Sequence, residues 1–223
     1  MTRVCRKAPV SILADVRHFF FDIRLLHLSP DLNDVKHISI LALFISLLFM
    51  GATPHAEKYR WSIKLLIDTA GQRVYGLQVQ ASTIKELVRI KRPANAQLGK
   101  RRAAAEKLKV KVACTIIATG LEDDGDYHLI IVSGKDTMIA EIPNPKGVTL
   151  SGVEEATLSG LKTDYTSART FINTKTGKPK KKITTLSTPL KVKLTGICFF
   201  DKKGHGKGHA KNGIELHPVL GLE

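Results

Sequence analysis

The strictest constraint on this fold is a stretch of period-two patterning that starts at Val110. Val110, Val112, Cys114 and Ile116 alternate with Lys109, Lys111, Ala113 and Thr115. Successive side chains on a strand point to opposite faces, so this pattern predicts a strand with one face in a core and one in water. Two turn signals follow. Asp124-Gly125 closes an acidic stretch and signals a hairpin, and Ser133-Gly134-Lys135-Asp136 reverses the chain again. Residues 127–132 and 137–142 read as strands, the second closed by Pro143 and Pro145. Residues 165–172 read as a helix. Leu190, Val192 and Leu194 alternate with Lys191, Lys193 and Thr195 in a fourth strand that runs to Phe200. Residues 214–220 form a last strand after a loop rich in glycine and histidine.

The order is therefore strand-strand-strand-helix-strand-strand. It predicts a mainly β fold with minor α, an OB-like small β-barrel over residues 107–223. A small open sheet packed on a helix is the competing architecture. In the barrel the first strand pairs with the fourth, which puts Cys114 and Cys198 on neighbouring strands. Residues 57–106 read as a short β/α extension. Trp61, Ile63 and Leu65 alternate with Ser62 and Lys64, predicting a strand over 61–67, and residues 74–79 suggest a second. Ser82 or Thr83 caps a helix with Glu86 in its first turn and Ile84, Leu87 and Val88 on its apolar face. Pro93 is expected to end it. Residues 93–106 read as a linker or a short exposed helix.

A second pattern lies further upstream. Lys36 and His37 lead into an uncharged apolar run, residues 38–52, and then into Gly51-Ala52-Thr53-Pro54-His55-Ala56. That order is the order of a secretory signal peptide, here residues 35–56. The run is short of the about 20 residues that span a bilayer; an anchor at residues 38–52 is the competing reading. Residues 1–34 carry too many charges to belong to such a leader. Val35 can be encoded by a codon that starts bacterial proteins, so residues 1–34 are read as a mis-set start or a disordered extension, against a cytoplasmic tail. The expected location is the periplasm or the extracellular space, with no stable membrane span in the remaining chain.

Charge bears on partners. The chain carries 35 basic and 20 acidic side chains, a net +15, and residues 37–223 retain +13. The excess is clustered, with Lys100, Arg101 and Arg102 in one group and Lys180, Lys181 and Lys182 in another. Such a field attracts nucleic acid or another anionic polymer; a solvated basic surface is the plainer reading. Cys114 and Cys198 are an even pair that an oxidising compartment can bridge. Their apolar strand positions equally suit two buried thiols.

The chemistry-bearing residues fall into two pairs. Asp126 and His128 are two apart, as are Glu215 and His217, so each pair shares one face of its strand, opposite the apolar residues. Asp201 ends the fourth strand, and His205 and His209 lie in the loop beside it. Asp126, His128, Asp201, Glu215 and His217 can hold a divalent metal or supply a general acid and base. A structural hydrogen-bond network is the alternative. No nucleophile elbow, phosphate-binding loop, Cys-x-x-Cys or His-Glu-x-x-His motif occurs, and no motif requires a cofactor.

Two longer segments carry a resemblance. Residues 121–131 (LEDDGDYHLII), running on to residues 137–143 (TMIAEIP), and residues 196–201 (GICFFD), followed by residues 212–220 (NGIELHPVL), resemble a family of exported bacterial proteins with the pattern DxDYHLV…MIxEIP…FFD…NxIELHPV. The resemblance covers roughly residues 57–223. That family has no assigned activity, so it implies export and a common fold but no catalytic residue. This chain departs from it at His205-Gly206-Lys207-Gly208-His209, which puts any shared role of His205 or His209 in question. The combined expectation is a non-catalytic binding module for an anionic ligand. A metal-dependent hydrolase of nuclease or phosphodiesterase type and a structural envelope protein are the alternatives.

Overall fold

The computed structural model describes residues 60–96, 103–149, 153–202, 204 and 207–223. The expected signal peptide at residues 35–56, the stretch 1–34 before it, His205 and the Lys100-Arg101-Arg102 cluster lie outside the described residues. The chain is mainly β, with six strands in one mixed sheet and few helices. The helices are α1 (Trp61–Lys64), α2 (Gly71–Tyr75), α3 (Ile84–Leu87) and α4 (Glu155–Thr176). The strands are β1 (Gln80–Ser82), β2 (Lys109–Leu121), β3 (Tyr127–Ser133), β4 (Asp136–Ile142), β5 (Thr184–Phe200) and β6 (Ile214–Leu222).

Strand pairing follows the order β1-β2-β3-β4-β6-β5, and β2 also pairs with β5, so the pairings of β2, β3, β4, β6 and β5 return on themselves. The β4–β6 and β1–β2 pairs are parallel; the others are antiparallel. Val110, Val112, Cys114 and Ile116 of β2 are buried with Leu129, Ile131, Ala140, Leu194, Phe200 and Leu216 in one core. A second core holds Leu65, Leu66, Ile197 and Leu220. Helix α4 serves both. Its buried residues Leu158, Leu161, Tyr165, Ala168 and Ile172 form one stripe at helical spacing. The first three meet the second core, and the last two meet the first.

Three expectations change. Residues 61–67 are not a strand: Trp61–Lys64 is helical, and its first turn closes on the Arg60 carbonyl, which accepts from the Ile63 and Lys64 N–H groups at 3.0 Å. Leu65 and Leu66 are adjacent and both fully buried, which alternating strand faces do not provide on a one-sided surface. The second proposed strand is also helical at Gly71–Tyr75, and the strand of this region is Gln80–Ser82. The helix start at Thr83 is a capping box. Thr83 Oγ1 accepts from the Glu86 N–H, and Glu86 accepts from the Thr83 N–H.

The third correction concerns the cysteines. Cys114 and Cys198 are both free and buried. Strands β2 and β5 do pair, but Cys114 sits opposite Val192, and the Cys198 N–H donates to the Leu108 carbonyl. Six residues of ladder separate the two, about 20 Å at the usual strand rise. A disulfide needs Cα atoms within about 7 Å. Burial raises both thiol pKa values to about 12.

One buried ion pair holds the N-terminal segment on the sheet. Arg60 Nη1 lies 2.8 Å from Glu106 Oε1, and both side chains are almost inaccessible. The same nitrogen donates to the carbonyls of Ala96 and Phe200. The guanidinium stacks 4.5 Å from the Phe199 ring centroid. These contacts hold Arg60 in a left-handed conformation, φ 49°, which is uncommon for a residue with a Cβ. Arg60→Ala leaves the Glu106 charge buried and unmatched. The expected loss is about 3–5 kcal/mol of unfolding free energy, measured by urea denaturation.

Candidate functional site

The two acid–histidine pairs meet on the outer side of β3, β4 and β6, facing away from the first core. Their meeting follows from register. The tight turn at Gly134 and Lys135 pairs Ser133 with Asp136, and the same ladder sets His128 opposite Glu141. The parallel β4–β6 pair then puts Ile139 beside Glu215, one step along from Glu141. His217 lies two residues beyond Glu215 on the same face, with a cis peptide to Pro218.

Glu141 is the centre of the arrangement. Its Oε1 lies 3.2 Å from His128 Nδ1, and its Oε2 lies 2.8 Å from His217 Nδ1. His128 Nδ1 is also 3.0 Å from Glu122, while its Nε2 lies 3.1 Å from the Lys207 carbonyl. Gly208 lets the loop approach that closely: its φ is +84°, and a Cβ there would come within 2.7 Å of Ile130. His217 Nδ1 is 3.2 Å from Glu215, and its Nε2 is 3.4 Å from Asp126 Oδ2. Asp126 stands just before β3. Its Oδ1 accepts from the Asn144 N–H at 2.8 Å. Gly125 turns the chain ahead of it with φ +89°, and Arg169 of α4 donates to the Gly125 carbonyl.

Of the five candidates, whose convergence the spacing left open, Asp126, His128, Glu215 and His217 meet through direct contacts with one another or with Glu141. Asp201 stands at the end of β5, where its charge acts on Lys64 and Glu215. His209 is elsewhere. It lines a cleft of about 480 Å³ with Val88, Lys135, Thr137 and Lys211. Three members were not anticipated: Glu141, Glu122 and Lys64. The signal for Glu141 was present, because a two-residue hairpin loop fixes the register that pairs it with His128. Lys64 had none, since it arrives on the segment misread as a strand. Its Nζ lies 3.7 Å from Glu141 Oε2 and 5.5 Å from the Phe199 ring centroid.

The cluster is buried; Asp126 and His217 are 0 % exposed and Glu141 is 8 % exposed. Its charges set one another. Burial would lower the His128 pKa, but its bonds to Glu122 and Glu141 raise it to about 10. Burial and the Lys64 charge both oppose protonation of His217, and Glu141 and Asp126 hold it well above the ordinary range nonetheless. Burial would raise Glu141; His217, His128 and Lys64 hold it well below the usual carboxylate range. Glu215 goes the other way, pushed up to about 7 by burial and by the Glu141 charge. Lys64 is raised against its own burial by Glu215, Glu141, Asp201 and Asp126. Each buried ion costs several kcal/mol of lost hydration, so the set is justified by what it positions rather than by stability.

Stability should therefore depend on pH with a defined sign. The two imidazoles have raised values in the fold, so their contribution is full below about 6.5 and is lost as pH rises through those raised values, about 10 for His128. Glu215, also raised, weakens the fold as it ionises between about 4.5 and about 7. Unfolding free energy in chelator should fall from pH 6 to pH 9, at up to roughly 1.4 kcal/mol per pH unit for each proton released. Glu141→Gln should flatten that slope. A pH-independent urea midpoint in the parent would contradict the assignment.

Compared with protein-family models, with curated proteins and with solved structures, the chain matches none.

Proposed function

We propose that this chain is an exported binding module of OB-like architecture whose ligand is an anionic polymer. The returning strand pairings, with the long helix between β4 and β5, support the architecture. The leader at residues 35–56 supports export. No helix among the described residues is long and apolar enough to cross a membrane.

The observation that carries the ligand class is a set of lysines on the outward positions of β2 and β5. Lys191 sits opposite Thr115, Lys193 opposite Ala113, and Lys111 opposite Thr195. Lys111, Lys191 and Lys193 are all exposed. The Lys180-Lys181-Lys182 loop lies further along β2, tied to its end by the Leu121 N–H donating to the Lys180 carbonyl, about 20 Å from Lys191 at the usual strand rise. Glu223 and Asp123 offset two of these charges, at 2.7 Å from Lys111 and 3.8 Å from Lys181. The outward positions between the lysines carry alanine and threonine rather than aromatic rings. Binding there is by charge, without base stacking and without sequence readout.

A metal-dependent hydrolase is the second reading, favoured by the convergence of Asp126, Glu141 and His217. It ranks second because these groups lie buried beneath Lys64, where a polymer reaches them only if α1 leaves the sheet.

Binding of the full chain to a single-stranded oligonucleotide, and separately to heparin, should be measurable at low salt and should weaken steeply as salt rises. The triple change Lys182→Gln, Lys191→Gln and Lys193→Gln should reduce the slope of log affinity against log salt on the oligonucleotide by about 2, at about 0.7 per lost phosphate contact. Absence of binding to both polymers at low salt would overturn the proposal.

A further inference from the structure

We infer that Asp126, Glu141 and His217 form a binding site for a divalent cation of the Zn²⁺ type, with Glu215 as the carboxylate that orients the imidazole. The inference is independent of polymer binding by the lysine face, and it holds whether or not the chain catalyses a reaction.

Two atoms point to a ligand. Asp126 Oδ2 and His217 Nε2 are buried, and neither makes a hydrogen bond. Buried polar atoms are nearly always satisfied, and those that are not call for an explanation. They face each other at 3.4 Å, long for a charge-assisted hydrogen bond of about 2.7–2.9 Å. Two ligands each about 2.1 Å from a tetrahedral metal ion lie about 3.4 Å apart. Glu141 is the third donor in reach, since one oxygen or nitrogen from each of the three residues lies within 4.8 Å of the others; its Oε2, which faces His217 Nδ1 at 2.8 Å, would turn from that nitrogen to the ion.

The remaining contacts fit a ligand role. A metal-bound histidine generally gives its other ring N–H to a carboxylate, and His217 Nδ1 faces two, Glu141 at 2.8 Å and Glu215 at 3.2 Å, so Glu215 keeps the ring oriented when Glu141 turns to the ion. Asp126 is fixed through its other oxygen by the Asn144 N–H. One imidazole with two carboxylates suits Zn²⁺ better than Ca²⁺ or Mg²⁺, which favour all-oxygen shells of six or more ligands. Lys64 opposes the ion, since its ammonium lies 3.7 Å from Glu141 Oε2 and a bound cation must compete with it for that carboxylate.

A second trio, Glu122, His128 and Glu141, is also close enough to hold an ion. It is not proposed, because both His128 nitrogens already have oxygen partners at 3.0–3.2 Å and Glu122 is substantially exposed.

The test is calorimetric titration of the full chain, stripped with chelator, with Zn²⁺ alone. One equivalent should bind. Asp126→Asn, which retains an oxygen for the Asn144 N–H, and His217→Gln should each lose that equivalent while keeping the parent's circular dichroism. If neither variant folds, X-ray absorption of the Zn²⁺-loaded parent decides. The expected shell is nitrogen and oxygen at about 2.0–2.2 Å with imidazole scattering. Failure of the parent to bind Zn²⁺, a folded variant that still binds one equivalent, or a shell containing sulfur would each overturn the inference.

Discussion

The Glu141 carboxylate, held between two imidazoles, is the interaction on which the outer side of this sheet depends. One oxygen faces His128 of β3 and the other faces His217 of β6. A single side chain on β4 thus joins three strands across both an antiparallel and a parallel pairing. Its ionised state raises the pKa of both rings and of Glu215. Removing that charge would leave cationic imidazoles buried with fewer counterions, the situation in which a buried network becomes costly.

The N-terminal segment makes this possible. A polar cluster on the outer side of a sheet would ordinarily stand in water, where its charges interact weakly. Arg60 is pinned by Glu106, and Lys64 of α1, four residues on, reaches Glu141 at 3.7 Å. Leu65 and Leu66 pack into the core that α4 shares. Tyr165 of α4 donates to the Leu65 carbonyl at 2.9 Å. The outer side of the sheet is divided by chemistry. Lys111 of β2 and Lys191 and Lys193 of β5 are basic and exposed, while Glu141, Glu215 and His217 of β4 and β6 and His128 of β3 are buried. The proposed polymer contact and the proposed cation site belong to different strands of that outer side and stand or fall separately.

Most of the β architecture was legible because period-two alternation is a direct image of a half-buried strand, and β2 to β6 each show it or end in clear turns. The structure lengthens these elements: β5 begins at Thr184 and α4 at Glu155. The misreadings share a cause. In residues 61–67 the alternation of Trp61, Ile63 and Leu65 imitates a strand, and only the tertiary contacts of Arg60 and Leu66 decide for a helix. The cysteine pair failed as a bridge because adjacency of strands says nothing about offset along them. At the site, same-face pairing was readable from spacing alone. The meeting of the two pairs required the register that brings Glu141 between them, and the burial required knowing what Lys64 covers.

The most direct measurement is nitrogen-15 NMR of the histidine rings in the chelated full chain, followed across neutral to mildly alkaline pH. With Glu141 ionised between them, His128 should remain doubly protonated at pH 8, and His217 should titrate well above the ordinary imidazole value of 6.5. Rings that titrate near that ordinary value would contradict the account, because Glu141 would then not be holding a charge between two cations.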